Sequence, residues 1–234
     1  DLYWTSILNM YGAYRGGISQ ITLDNPYMDT EIVGTIVVDP LDDRYLIFNV
    51  DIDTLPQNTI DPVTSVINPQ ITGPNSGLPG PINNVRYLLV NDIASDTASW
   101  GTIIGSQTGN SSAPESQLAT TLTPNVKYQI ASIGTTDFRN YGAPDNNVGT
   151  VFTMNNVQPD GTGTAYTVVE AGTNDILQFN ATLMQWFISF DASANEDGLE
   201  YVTNLTTEIQ YRWAATPADS VQPGLPAQWM KSYE

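Results

Sequence analysis

Apolar and polar residues alternate with a period of two along most of the chain, and the spacing of an amphipathic helix is nearly absent. Glu31-Ile32-Val33-Gly34-Thr35-Ile36-Val37-Val38 and Arg44-Tyr45-Leu46-Ile47-Phe48-Asn49-Val50 are rich in β-branched and aromatic residues. Between them, Asp39-Pro40-Leu41-Asp42-Asp43 supplies carboxylates that bond their own backbone and a ring that fixes φ, so the pair reads as a hairpin. Strands restart at 86–90 and 100–104. Three alternating runs, 127–133, 147–154 and 164–169, are separated by Gly142-Ala143-Pro144-Asp145 and Asp160-Gly161 and read as a small three-stranded module. From Asp175 onward, runs at 176–179, 185–190, 200–204, 208–213 and 228–231 predict a meander. The one helix candidate is 2–14, with Tyr3, Ile7, Met10 and Tyr14 on a common face and glycines at 12, 16 and 17 limiting it.

Two segments break the alternation. Residues 55–81 hold six prolines, each lacking the ladder N–H, which forbids a central strand and suggests a linker or surface loop over 55–84. Residues 106–121 form a polar Ser/Thr/Gln tract without period. The fold class expected is therefore all-β, with two or three small antiparallel domains of sandwich or meander type joined by the Pro-rich segment, and a short N-terminal helix. The expected divisions are an N-terminal hairpin segment at 1–54, the linker at 55–84, a Trp-containing meander formed by 85–105 with 173–234, and an inserted β module at 106–172.

Composition narrows the chemistry. The chain has no histidine and no cysteine, so the commonest general base, the commonest transition-metal ligand and the strongest side-chain nucleophile are all missing. No enzyme activity and no cofactor is expected. Arg15, Arg44, Arg86, Lys127, Arg139, Arg212 and Lys231 are scattered singly among 25 acids, giving a net charge of -18 and no basic stripe for phosphates. Neither nucleic acid nor an anionic membrane is an expected partner. Charged residues make up only 14% of the chain, so its polar surface is mostly Asn, Thr, Ser and Gln. No stretch approaches 18 apolar residues and no basic region precedes an apolar core. The sequence begins at Asp1 and stops after Trp229-Met230-Lys231-Ser232-Tyr233, which reads as mid-strand and suggests a fragment of a longer polypeptide.

Four features are candidate sites, each with a plainer structural explanation. Trp100, Trp186, Trp213 and Trp229 recur with Tyr87, Tyr201 and Tyr211 between them; exposed beside amides, Trp186, Trp213, Trp229 and Tyr211 would stack on a glycan or contact a partner, whereas buried they fill a thin β core. Ser193-Ala194-Asn195-Glu196-Asp197-Gly198 places oxygens before a glycine as a calcium loop does, but Asn204 stands where the bidentate Glu belongs, and loop solvation fits better. Asp39, Asp42, Asp43, Asp51 and Asp53 are at most weak cation sites, more simply turn caps. A paired-carboxylate glycosidase needs neither His nor Cys, yet nothing singles out a pair among so many acids. Gly161-Thr162-Gly163 lacks the helix and downstream acid of a dinucleotide loop, and the sequons at Asn110, Asn180 and Asn204 arise readily in an Asn/Thr-rich chain.

Over about 45 residues, Pro124-Asn125-Val126-Lys127-Tyr128-Gln129-Ile130-Ala131-Ser132-Ile133-Gly134-Thr135-Thr136-Asp137-Phe138, Gly142-Ala143-Pro144-Asp145-Asn146-Asn147-Val148-Gly149-Thr150-Val151-Phe152-Thr153 and Gly161-Thr162-Gly163-Thr164, the chain resembles a β module of tailed-bacteriophage virion proteins. Gly134, Gly142, Gly149 and Gly161 then mark tight turns, and Tyr128, Ile130, Phe138, Val148, Val151 and Phe152 the core. The flanks, from Arg86-Tyr87-Leu88-Leu89 through Trp100-Gly101-Thr102-Ile103 and again from Asn174-Asp175-Ile176-Leu177 to Trp229, are similar to strand–Trp–strand units of tail-fibre and baseplate proteins of T4-like cyanophages, as is Tyr11-Gly12-Ala13-Tyr14-Arg15-Gly16-Gly17-Ile18-Ser19-Gln20. The resemblance implies a non-enzymatic structural component of the virion, in the tail, baseplate, neck or fibre, partnered by other virion proteins and by its own copies. The alternative is a receptor- or carbohydrate-binding module that meets a host-surface glycan.

Overall fold

The structure is a computed structural model describing residues 19–24, 31–74, 76–78, 80–93, 97–105, 114–194, 199–214 and 228–232. It is all-β, with fifteen strands in four small sheets among the described residues. Among the described residues the only α-helical stretch is one turn, α1 (Thr97–Trp100). The expected helix at 2–14 lies outside them. The chain divides into two compact units, Asp1–Gln57 and Asn58–Glu234.

The first unit is a three-stranded antiparallel sheet of β1 (Ser19–Asp24), β2 (Glu31–Val38) and β3 (Leu46–Val50), in that order. The β2–β3 hairpin is built as its residues dictate: Asp39 Oδ1 accepts the Leu41 N–H at 2.8 Å and Asp42 Oδ1 the Arg44 N–H at 3.1 Å. A 3₁₀ turn at Ile52–Thr54 follows, capped by the Asp51 side chain, and Thr54 Oγ1 accepts the Val33 N–H at 2.9 Å. Strand β1 alternates as well, Ile21 and Leu23 lying between Gln20, Thr22 and Asp24, and adds a third strand to the expected hairpin.

In the second unit the main sheet runs β4-β5-β11-β12-β6, with β4 (Ser65–Ile67), β5 (Arg86–Leu89), β6 (Ile103–Gly105), β11 (Ile176–Asn180) and β12 (Gln185–Phe190). Its centre is antiparallel, and both edge strands, β4 and β6, pair in parallel. The Pro-rich stretch is therefore not a free linker: its one run of three strand residues between Pro62 and Pro69 is laid on the sheet edge, the one place a proline-bounded strand fits. Val63, with no exposure at all, carries the chain on to the next sheet, donating to Thr203 O and accepting from Leu205 N–H, both at 2.9 Å. Trp100 ends α1 instead of opening a strand, and its Nε1 donates to Pro69 O at 3.4 Å.

Each face of this sheet has its own core. One face gathers Tyr87, Leu89, Leu177, Phe179, Trp186 and Ile188 beneath Trp100. The other packs Leu88, Ile176 and Phe190 against Val202 and Trp213 of a separate sheet, β13 (Tyr201–Asn204), β14 (Ile209–Ala214) and β15 (Gln228–Lys231). Phe190 reaches that face because the β11–β12 register shifts between Ile176 and Leu177, pairing Ile176 with Phe190 while Leu177 pairs with Ile188. The expected single meander from Asp175 onward is thus divided between two packed sheets.

The fourth sheet runs β7-β10-β8-β9, with β7 (Gln117–Leu118), β8 (Lys127–Ser132), β9 (Val151–Thr153) and β10 (Thr164–Thr167). It is a module of four strands and not three, because Gln117 and Leu118, in the aperiodic polar tract, are recruited by β10.

Candidate functional site

The four-stranded module is held by turns that its glycines and hydroxyls define. A 3₁₀ turn at Phe138–Tyr141 is capped by Asp137 at its start and ends at Gly142, whose φ of 110° excludes an ordinary side chain. A Cβ at Gly142 would also collide with the Thr153 carbonyl oxygen. Thr136 Oγ1 donates to Asp160 O at 2.7 Å and accepts the Gly163 N–H at 2.9 Å, stitching the two long loops together. Asn146 completes the frame, its Oδ1 accepting the Phe138 N–H at 2.8 Å and its Nδ2 donating to Thr136 O at 3.2 Å. Within this frame Tyr128, Ile130, Phe138 and Phe152 form one buried cluster with Leu122, Tyr141, Met154 and Ala165. Val148 does not join them: at 65% exposure it stands on a loop, and Val151 is only half-buried. Alternation places these two valines on a face but not under a second layer.

The module meets the main sheet along a seam. Gln185 Nε2 on β12 donates to Gln129 Oε1 on β8 at 2.5 Å, while Gln129 Nε2 donates to Gly149 O at 3.0 Å. Val169 N–H donates to Ile103 O at 3.0 Å and Val168 N–H to Lys127 O at 2.9 Å, so the chain leaving β10 covers the edge of β6. Beside this seam lies a cleft of about 490 Å³, a volume within the range of ligand sites. Ile103, Val151, Val168 and Val169 give it apolar walls, and Asp92, Lys127 and Glu170 ring its mouth. Among the described residues the ion pairs are Arg44–Asp42, Arg86–Asp61 and Arg139–Asp137, so no carboxylate engages Lys127 there. The cleft can bury an apolar side chain while its rim meets charge of either sign. Sequence reasoning missed it, because its lining comes from five separated stretches, none with a pattern of its own.

The aromatic candidates are core residues. Trp186 is 4% exposed and Trp213 1%, so neither presents a ring face for a sugar. Trp186 packs edge-on against Trp100 and Phe179, with centroids 5.0 and 5.2 Å away. Trp213, Phe190 and Trp229 pack as a triangle, Trp213 5.3 Å from each of the other rings and those two 4.9 Å apart. Trp229 is half-buried with its Nε1 donating to Asn174 O at 2.9 Å, and Tyr211 is half-buried against the same cluster. The stacking platform thus loses Trp186 and Trp213, its two most regular members.

The acid-rich turns are engaged internally. Asp191 Oδ1 accepts from Ser193 N–H and Oγ, at 2.9 and 2.6 Å, while the rest of that candidate calcium loop, 195–198, lies outside the described residues. Among the described residues no three acidic side chains gather as a metal site would need. Asn180 and Asn204, the two described sequon asparagines, cap the β11–β12 and β13–β14 turns, Asn180 Oδ1 accepting Thr182 N–H and Asn204 Oδ1 accepting Thr206 N–H, each at 3.0 Å. The Arg44 guanidinium beside Asp42 pulls that carboxyl down to about 2.

Asp175 is the exception. It lies buried between two turns, its oxygens accepting Gly172 N–H at 2.7 Å and Ala192 N–H at 2.9 Å, and desolvation pushes its carboxyl up to about 6 despite both bonds. It clamps the turns before β11 and after β12 rather than facing the cleft. Comparison with protein-family models, with curated proteins and with solved structures gives no match for this chain.

Proposed function

We propose that the chain is a non-enzymatic structural component of a tailed-phage virion, holding neighbouring protein subunits in the tail, baseplate or neck. The observation that carries this reading is the glycine-and-aromatic motif of residues 124–164, by which the sequence resembles virion β modules. The motif's glycine at 142 ends a turn at positive φ, and its aromatics at 128, 138 and 152 close a core. The missing His and Cys add support, since a subunit that only holds others needs no reactive side chain.

Such a subunit works through backbone and loops. Strands β1, β3, β7 and β9 are outermost in their sheets, and outermost strands offer unpaired N–H and C=O groups to a neighbouring chain. The cleft beside the module seam gives a second kind of grip, an apolar socket for a side chain of the neighbour. Its partners are other virion proteins and further copies of itself, and its place is the particle. The carbohydrate-binding alternative loses its footing with Trp186 and Trp213 inside the cores.

Mass photometry of the complete polypeptide, alone and mixed with the proteins of its particle, tests the proposal. Stable higher-mass species containing the chain are expected; a chain that stays monomeric and joins no particle protein contradicts it.

A further inference from the structure

The register of the N-terminal sheet sorts its side chains sharply. Ile21 pairs with Gly34 and Leu23 with Ile32, while Ile36 pairs with Phe48 and Val38 with Leu46, so these positions share one face with Val50. No charged residue falls among them. Gly34 sits in the middle, where a Cβ would run into the Phe48 ring, so that ring lies across the glycine and makes the face continuous. Only Ile32 and Gly34 are buried on it; Leu23 remains 43% exposed and Ile36, Val38, Leu46, Phe48 and Val50 are half-buried. A single layer of three strands cannot cover its own apolar face.

The charges around the face select what completes it. Glu31, Asp51 and Asp53 stand at one end of the sheet and Asp39, Asp42 and Asp43 at the other. The single base there, Arg44, is held by Asp42 at 2.5 Å. Residues 1–57 carry nine acids against Arg15 and Arg44, a net charge of −7, so a second copy would set like charge against like. The two acidic ends are separated by a five-residue strand, roughly 17 Å.

We propose that this face docks a partner polypeptide segment with a nonpolar centre and Lys or Arg on either side, the cations spaced to meet both acidic ends. The inference rests on the assembly reading of the chain and names the chemistry of one neighbour.

The probe is a fluorescein-labelled peptide of alternating valine and threonine with paired lysines at both ends, titrated into the full chain by fluorescence anisotropy, beside a control with paired glutamates. Saturable binding of the lysine peptide is expected, weakened about tenfold or more by the glutamate exchange and by raising salt to about 1 M. Phe48→Asp should abolish binding. Because that variant could unfold the sheet, Asp43→Asn with Asp53→Asn, two exposed changes that leave the face intact, should weaken the lysine peptide alone. Equal binding of both peptides, binding of neither, or full binding by Phe48→Asp overturns the docking face. So does a concentration-dependent dimer in sedimentation velocity that Phe48→Asp dissolves, since a second copy would then own the surface. A chain that joins its particle equally well with Phe48→Asp overturns the docking face and leaves the assembly reading standing. A chain that binds the lysine peptide but joins no particle overturns the assembly reading alone.

Discussion

Gln185 on β12 and Gln129 on β8 meet amide to amide at 2.5 Å, and this contact joins the four-stranded module to the sheet that carries it. Gln129 is itself buried and passes the connection on to Gly149 O. Replacing Gln185 with Ala leaves the Gln129 carbonyl without that donor, which should cost about 1–2 kcal/mol in equilibrium urea unfolding. A midpoint unchanged from the parent chain would mean that the seam is held elsewhere.

Trp186→Ala and Trp213→Ala each remove a buried ring from an aromatic cluster, on opposite faces of the main sheet. Each should cost about 3–5 kcal/mol, read as a lowered denaturation midpoint. Stability preserved in either variant would place that ring at the surface and revive the glycan-stacking reading.

Gly142→Ala meets two obstacles, a left-handed backbone and the Thr153 carbonyl. A loss of about 2 kcal/mol is expected, while Val148→Ala, on an exposed loop of the same module, should change stability by less than about 0.5 kcal/mol. Thermal unfolding of the pair checks the contrast, and similar losses in both would contradict the described module core.

Asp175 sets a pH dependence. Its folded-state value of about 6 lies above the ordinary 3.8, so the folded chain keeps this proton after the unfolded chain has lost it. Stability from this group is therefore full below about pH 4, falls as pH rises through the window up to 6, and is level beyond, a loss of about 3 kcal/mol. Asp42 runs the opposite way: pulled down to about 2, it contributes above pH 4 and loses its contribution as pH falls toward 2. Urea unfolding across pH 4–7 should show the Asp175 decline, and Asp175→Asn should flatten it. A decline unchanged in Asp175→Asn would assign it to another group.

The parts legible in the sequence were those whose own residues decide their conformation. Gln185–Phe190 and Gln228–Lys231 fall where alternation put them, and the β2–β3 turn follows from its aspartates. Strands β4 and β7 were illegible because a partner makes them: Ser65–Ile67 borrows β5 and Gln117–Leu118 borrows β10. Alternation separates two faces without saying which is covered: the area of the rings favours a core for Trp186 and Trp213, where they are found, but the same pattern set Val148 in a core and it stands exposed. The cleft and the Asp175 clamp depend on turns far apart in the chain meeting in space, as when Ala192 N–H reaches a carboxylate seventeen residues earlier.

We propose that β surfaces, and not reactive groups, do this chain's work inside a particle. Cryo-electron microscopy of the intact virion tests it most directly. Density for the five-stranded sheet and its four-stranded module is expected in the tail, baseplate or neck, with outer strands or the seam cleft occupied by neighbouring protein. A complete particle reconstruction with no place for this chain would contradict it.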